Sequence, residues 1–119
     1  MKQISAGNFE KIVEKRNNAW VIGHFIEPDH PFCINDFEVK WGNHQKGESK
    51  SAVASSAKSK SLCILISGKI SLSFPDHNES VILQHRGDYV FWDKGVSHRW
   101  SVLENSLVLT IRWPSIPSD

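Results

Sequence analysis

The chain has 119 residues and a net charge of +1 at pH 7, from 14 lysines and arginines against 13 aspartates and glutamates. This length suits one domain with a core of its own, and the near-neutral charge gives no reason to expect a nucleic-acid partner. No signal peptide and no run long enough for a transmembrane helix is visible, so we expect a cytoplasmic protein without a membrane partner.

The N-terminal segment, residues 1–19, predicts one short helix. Phe9, Ile12 and Val13 have the i, i+3, i+4 spacing of an amphipathic helix. Residues 20–26 are rich in β-branched and aromatic side chains and predict a strand. We therefore expect the helix to brace a β-structure rather than to form a domain of its own.

The middle of the chain holds one clear strand and one ambiguous segment. Residues 37–41 alternate apolar and charged side chains, which predicts a half-buried strand with Trp41 facing in and Glu38 and Lys40 facing out. Residues 48–61 are rich in serine and poor in apolar bulk. This segment is either a flexible loop or a weak strand held by its neighbours.

The strongest β-pattern follows, with two turns predicted inside it, at Ser67-Gly68 and at residues 104–106. The chain as a whole has seven or eight short strands and one helix candidate, which is typical of a β-sandwich or a closed β-barrel. The barrel would span residues 20–113 of a single domain of residues 1–119, followed by a tail of residues 114–119. The strands of this second half are predicted at residues 62–66, 69–74, 80–84, 90–92, 99–103 and 107–113.

Two stretches, residues 62–69 and 87–98, together resemble the cupin superfamily. Gly87, Gly95 and His98 have the spacing of the second cupin motif, whereas Asp93 stands where proline is usual and Val102 where asparagine is usual. Asp93 before Lys94 and Gly95 is still good turn chemistry. The apolar strand that ends at the Gly68 turn supports the match. The resemblance implies an all-β, cupin-like jelly-roll β-barrel with a short N-terminal helix.

The first cupin motif departs from the family pattern. Counting back from Gly68 puts its glutamate position at Ser61, and its two histidine positions fall in residues 54–57, which are serine and alanine. A cupin metal site uses three histidines and a carboxylate, and of these only His98 remains. We therefore predict no metal and no other cofactor. The alternative is a divalent metal at a rearranged site of His98, His44 and His24.

A ligand pocket is predicted inside the barrel. His98 and Trp100 are two residues apart on a strand and share a face. We expect His98, Trp100, Trp41 and Trp92 to line the pocket, and Arg112, between two apolar residues, to face solvent. The alternative is that indoles fill the barrel and that His98 is a relic, satisfied by a neighbouring hydroxyl or carbonyl.

These observations favour a metal-independent protein that binds or senses a small molecule in the barrel. The first alternative is a divergent cupin enzyme, either metal-dependent through rearranged histidines or a metal-free isomerase or lyase with His98 as acid/base. The second is a structural dimer with a filled barrel. The resemblance implies a homodimer, and the apolar segment 20–26 is a candidate partner surface.

Overall fold

A computed structural model describes residues 3–117, which form one helix and seven strands. A short 3-10 turn, Pro75–His77, lies between the fourth and fifth strands. The elements are α1 (Phe9–Arg16), β1 (Trp20–Ile22), β2 (Glu38–His44), β3 (Ser49–Ala54), β4 (Lys60–Phe74), β5 (Glu79–Leu83), β6 (Tyr89–Trp92) and β7 (His98–Trp113).

The long strands β4 and β7, of 15 and 16 residues, form an antiparallel ribbon that organises the sheet. At one end of this ribbon, β6 pairs with residues 61–64 of β4 and β2 pairs with residues 106–112 of β7. At the other end, β5 pairs with residues 70–74 of β4 and β3 pairs with the start of β7. The predicted all-β architecture with a short N-terminal helix is confirmed, although the sheet path of residues 3–117 does not close on itself.

A bulge in this ribbon stands where the sequence predicts two turns. The pairing register shifts between positions 65 and 70 of β4, and Gly68 there has a φ of 97°. Opposite it, the Ser106 hydroxyl accepts a hydrogen bond from the Lys69 N–H (2.9 Å) and donates to the Glu104 carbonyl (2.7 Å). The two predicted turns are therefore wrong as strand ends: they face each other and bend two continuous strands.

The core lies between β4, β5 and β7. Leu65 and Leu83 are at most 1% exposed. The predicted alternation at the end of β4 is confirmed, because Ile70, Leu72 and Phe74 are all buried in the same cluster. Burial of this apolar interior stabilises the fold and holds the central strands in place.

Of the N-terminal elements, β1 pairs antiparallel with β2 at the edge of the sheet, and α1 packs against these two strands. The predicted helix is confirmed: the Asn8 side chain caps α1 by accepting the Lys11 N–H (3.2 Å), and Asn17 ends it in the left-handed conformation. The predicted strand 20–26 is shorter than expected and ends at Ile22. No helix within residues 3–117 is long and apolar enough to span a membrane.

The structure of two segments, the serine-rich one and the apolar one, could not be predicted from their sequences alone. The serine-rich stretch contains β3, so the weak-strand alternative applies to residues 49–54. In the apolar segment 20–26, Val21 and Ile26 are buried within this chain and Phe25 is 42% exposed. The apolar segment therefore buries much of its hydrophobic surface within this chain. The homodimer stays a prediction.

Candidate ligand-binding site

The curled sheet encloses a cavity of about 320 Å³, lined by side chains from every strand except β5. Its apolar floor consists of Ile70, Leu72 and Val108. Three of the four predicted pocket residues line it: His98, Trp92 and Trp100. The structure thus gathers these three residues around one space, and their role in binding a ligand stays a prediction.

Two pairs of aromatic rings form part of the cavity wall. The imidazole of His98 lies against the indole of Trp92, with ring centroids 4.6 Å apart and planes inclined by 40°. The imidazole of His44 lies against Trp100 at 5.1 Å. The Nε1 of Trp92 is buried and has no hydrogen-bond partner among the described residues. A buried indole N–H without an acceptor is costly to the folded state.

Trp41, the fourth predicted pocket residue, lies outside the barrel, and its predicted orientation is wrong. Its Nε1 donates to Oε1 of Glu10 (3.2 Å), and its ring packs against Phe9 of α1 at 6.1 Å. Lys40, predicted to face out, lines the cavity instead. Both faces of β2 are covered, one by α1 and one by the cavity side chains. The alternation therefore shows which residues share a face, but not which face is the interior.

Arg112 could bind a carboxylate or phosphate by its residue type, but its sequence neighbours made a solvent-facing position the first expectation, and that expectation is wrong. Arg112 lines the cavity, and its Nη2 lies 2.6 Å from Oε2 of Glu38, its cross-strand partner. Its guanidinium lies 4.5 Å from the centre of the Trp20 ring. Glu38, also expected to face out, is 5% exposed. One signal could have placed Arg112 on the cavity side. Arg112 lies an even number of residues after His98 on the same strand, so the two side chains share a face.

The residues present do not fit the metal-ligand set of the cupin motif. Ser61, at the glutamate position, lines the cavity. The alternative set of His98, His44 and His24 is not brought together, because Nδ1 of His24 lies 2.7 Å from the buried Ser115 hydroxyl, while His44 pairs with Glu48. No group of three or more His, Cys, Asp or Glu within residues 3–117 is arranged to hold a metal ion. His44 and His98 line the same cavity whereas His24 lies beside Ser115, and the alternative metal site stays a prediction.

Burial and mutual repulsion shape the ionisation of the cavity groups. The pKa of Lys40 is lowered, first by burial and then by the charges of Arg112 and Lys50. Burial also lowers the pKa of His98, and Lys50 and Arg112 add to that effect. Burial raises the pKa of the Cys63 thiol to about 11. At neutral pH the cavity therefore presents a neutral imidazole and a protonated thiol beside several cations.

The predicted motif residues hold the loops around this cavity. Gly87 and Gly95 have φ values of 92° and 79°, which side-chain-bearing residues rarely adopt. The Gly95 N–H donates to the Ser56 carbonyl (2.7 Å), and the Asp93 side chain accepts the Lys94 N–H (2.8 Å). This turn joins β6 to β7 and so sets the positions of Trp92 and His98 relative to each other.

Comparison with known proteins identifies the fold. Neither a protein-family model nor a curated protein sequence matches the chain. Among solved structures, KdgF from Halomonas sp. superposes with a TM-score of 0.62 at 16% identity, over 71% of this chain and 74% of that chain. A cupin-2 domain protein from Shewanella frigidimarina gives 0.57 at 20% identity, over 92% and 94%.

A protein with a double-stranded beta-helix domain from Klebsiella pneumoniae gives a TM-score of 0.59 at 18% identity, over 68% of this chain and 66% of that chain. The double-stranded β-helix is the cupin type of jelly-roll barrel. The chain therefore has a cupin-like fold, as residues 62–69 and 87–98 suggested. At these identities the fold is what the proteins share.

Proposed function

We propose that this protein binds a small organic molecule in the cavity bounded by Trp92, His98 and Trp100. The observation that carries the proposal is a 320 Å³ cavity whose lining includes the ring pairs His98–Trp92 and His44–Trp100. Such a volume is at the lower end of the usual range for ligand pockets, which suits one small molecule. Aromatic walls with a few polar groups are the common lining of such sites.

A thermal-shift screen of chemically diverse small molecules tests the proposal. Wild-type protein is compared with Trp100→Leu, which removes an indole from the cavity, and with Trp41→Leu, which removes one from the outer face of β2. Ligands of the cavity are expected to raise the Tm of wild-type protein and of Trp41→Leu, and to lose that shift in Trp100→Leu. A screen in which no shift depends on Trp100 would contradict the proposal.

Proton transfer by His98 is a second candidate function. Its support is the lowered pKa of the imidazole, which leaves it in the proton-accepting form at neutral pH within the same cavity. The variant His98→Gln separates the two functions. For an enzyme, it should abolish turnover of a cavity ligand while retaining binding; for a binding protein, wild-type protein returns the ligand chemically unchanged.

A further inference from the structure

The polar groups that line the cavity are mostly hydrogen-bond donors. Lys40 and Lys50 contribute ammonium groups, Arg112 a guanidinium and Trp92 an indole N–H. Two of these donors, Trp92 Nε1 and Arg112 Nε, are buried without a partner among residues 3–117. A ligand with negatively charged acceptor atoms suits this lining, because the described lining contains three cationic side chains and no carboxylate.

None of the described acceptors on the cavity wall is a carboxylate. They are the hydroxyls of Ser61 and Thr110, the thiol of Cys63, which itself contacts Thr110, and the imidazoles of His44 and His98. Within residues 3–117, no aspartate, glutamate, asparagine or glutamine side chain belongs to the lining of this cavity. A positively charged ligand would therefore find no carboxylate to pair with among these lining residues.

The positive charge of the cavity is only partly compensated. Glu38 does not line the cavity, but its Oε2 lies 2.6 Å from Nη2 of Arg112 and neutralises that charge. Among the described residues, no carboxylate lies within ion-pair distance of Lys40 or Lys50. The Lys40 ammonium lies 5.9 Å from the centroid of the Trp20 ring. Lys40 is partly buried and Lys50 is exposed at the cavity, and neither ammonium group forms an ion pair among the described residues.

We infer that the cavity recognises a small organic carboxylate with a flat, apolar body. This inference rests on the proposed function and adds the chemical class of the ligand. The carboxylate would meet the cations of β2, β3 and β7, and the flat body would lie along the indole and imidazole rings. An anion placed among Lys40, Lys50 and Arg112 would also relieve the repulsion between them.

Calorimetric titration with benzoate and with benzamide tests the inference, because the two probes share shape and differ in charge. At pH 7.5 and constant ionic strength, benzoate is expected to bind wild-type protein at least about tenfold more tightly than benzamide. Lys40→Gln should reduce the affinity for benzoate by about tenfold and leave that for benzamide unchanged. Lys60→Gln, which removes the same charge from an exposed position on β4, should leave both affinities unchanged.

Lys50→Gln on the edge strand β3 provides a second charge-removing variant if Lys40→Gln fails to fold, and the same loss of benzoate affinity is expected for it. Equal affinity for benzoate and benzamide, or equal effects of Lys40→Gln and Lys60→Gln, would overturn the carboxylate inference. The proposed function would survive that result if binding is still lost in Trp100→Leu. Failure of both probes at millimolar concentration would also overturn the inference, while screening hits that depend on Trp100 would keep the proposed function intact.

Discussion

Glu38 and Arg112 are directly opposite each other on β2 and β7, and their side chains meet at 2.6 Å at the edge of the cavity. Glu38 is 5% exposed, and its second oxygen accepts a hydrogen bond from the buried Ser115 hydroxyl at 2.8 Å. The carboxylate therefore has partners on both oxygens, which is the condition under which a buried charge is tolerated. It also ties β2 to β7 and to the residues that follow β7.

Glu38→Ala is expected to lower the free energy of unfolding by about 3 kcal/mol, because Arg112 and the Ser115 hydroxyl would both lose their acceptor. Urea denaturation followed by circular dichroism measures the loss. Glu79→Ala, on the exposed start of β5, is the matched control. Adding Arg112→Met to Glu38→Ala should recover part of the stability. A loss no larger than that of Glu79→Ala would contradict the structural role of the pair.

Gly68→Ala is expected to destabilise the β4–β7 ribbon by about 3 kcal/mol. The backbone there has a φ of 97°, and an added Cβ would collide with the Asn105 carbonyl and lie 2.6 Å from the Ser106 Cα. Gly87→Ala has a similar φ of 92° but open space around the new methyl group, so about 1 kcal/mol is expected. Equal losses of Tm in the two variants would contradict the collision with the Asn105 carbonyl as the cause of the larger loss in Gly68→Ala.

The Cys63 thiol is expected to resist alkylation in the folded protein. Burial raises its pKa to about 11 and leaves the residue 4% exposed, so little reactive thiolate is present at pH of about 8. Cys33, which is partly exposed, should react with iodoacetamide first. Mass spectrometry should therefore find no label on folded Cys33→Ser and full labelling in urea. Rapid labelling of that variant without denaturant would contradict the burial of Cys63.

Because of His98, the free energy of unfolding is expected to fall as the solution becomes more acidic. Burial, with help from Lys50 and Arg112, lowers its folded-state pKa below the usual 6.5. The unfolded chain therefore binds the proton more readily, and stability is lost as the pH falls through the usual pKa of 6.5 and the lowered pKa of the folded state. His98→Gln should flatten this part of the profile of unfolding free energy against pH. His77→Gln, at an exposed turn, should leave the slope as in wild-type protein.

The turns around the site could be predicted from the sequence because their causes are local. Gly87 and Gly95 occupy backbone conformations that few other residues adopt, so their spacing before His98 carries information without any knowledge of distant strands. The apolar alternation at the end of β4 is equally local, and it identified the core correctly. The Ser67-Gly68 signal also marked a real irregularity, although a strand on the opposite side converted it from a turn into a bulge.

The inward faces of β2 and β7 could not be predicted in the same way. The rule that apolar residues face in failed at Trp41, because α1 offered its indole a partner outside the barrel. It failed at Glu38 and Arg112 because each side chain supplies the charge that makes burial of the other tolerable, from a strand far away in sequence. Parity along β7 was the available clue, since Arg112 shares it with His98 and Trp100.

The sequence by itself determined the all-β architecture, the short helix, the glycine turns and the absence of the cupin ligand set at Ser61 and residues 54–57, because backbone preference and residue identity are local properties. Which side chains line the cavity, and therefore its charge, was decided by the tertiary structure alone. Lys40, Lys50 and Arg112 come from three different strands, and only the folding of the sheet brings their charges into one space. Electrostatic character is a property of residues gathered in space, and therefore it emerges only with the fold.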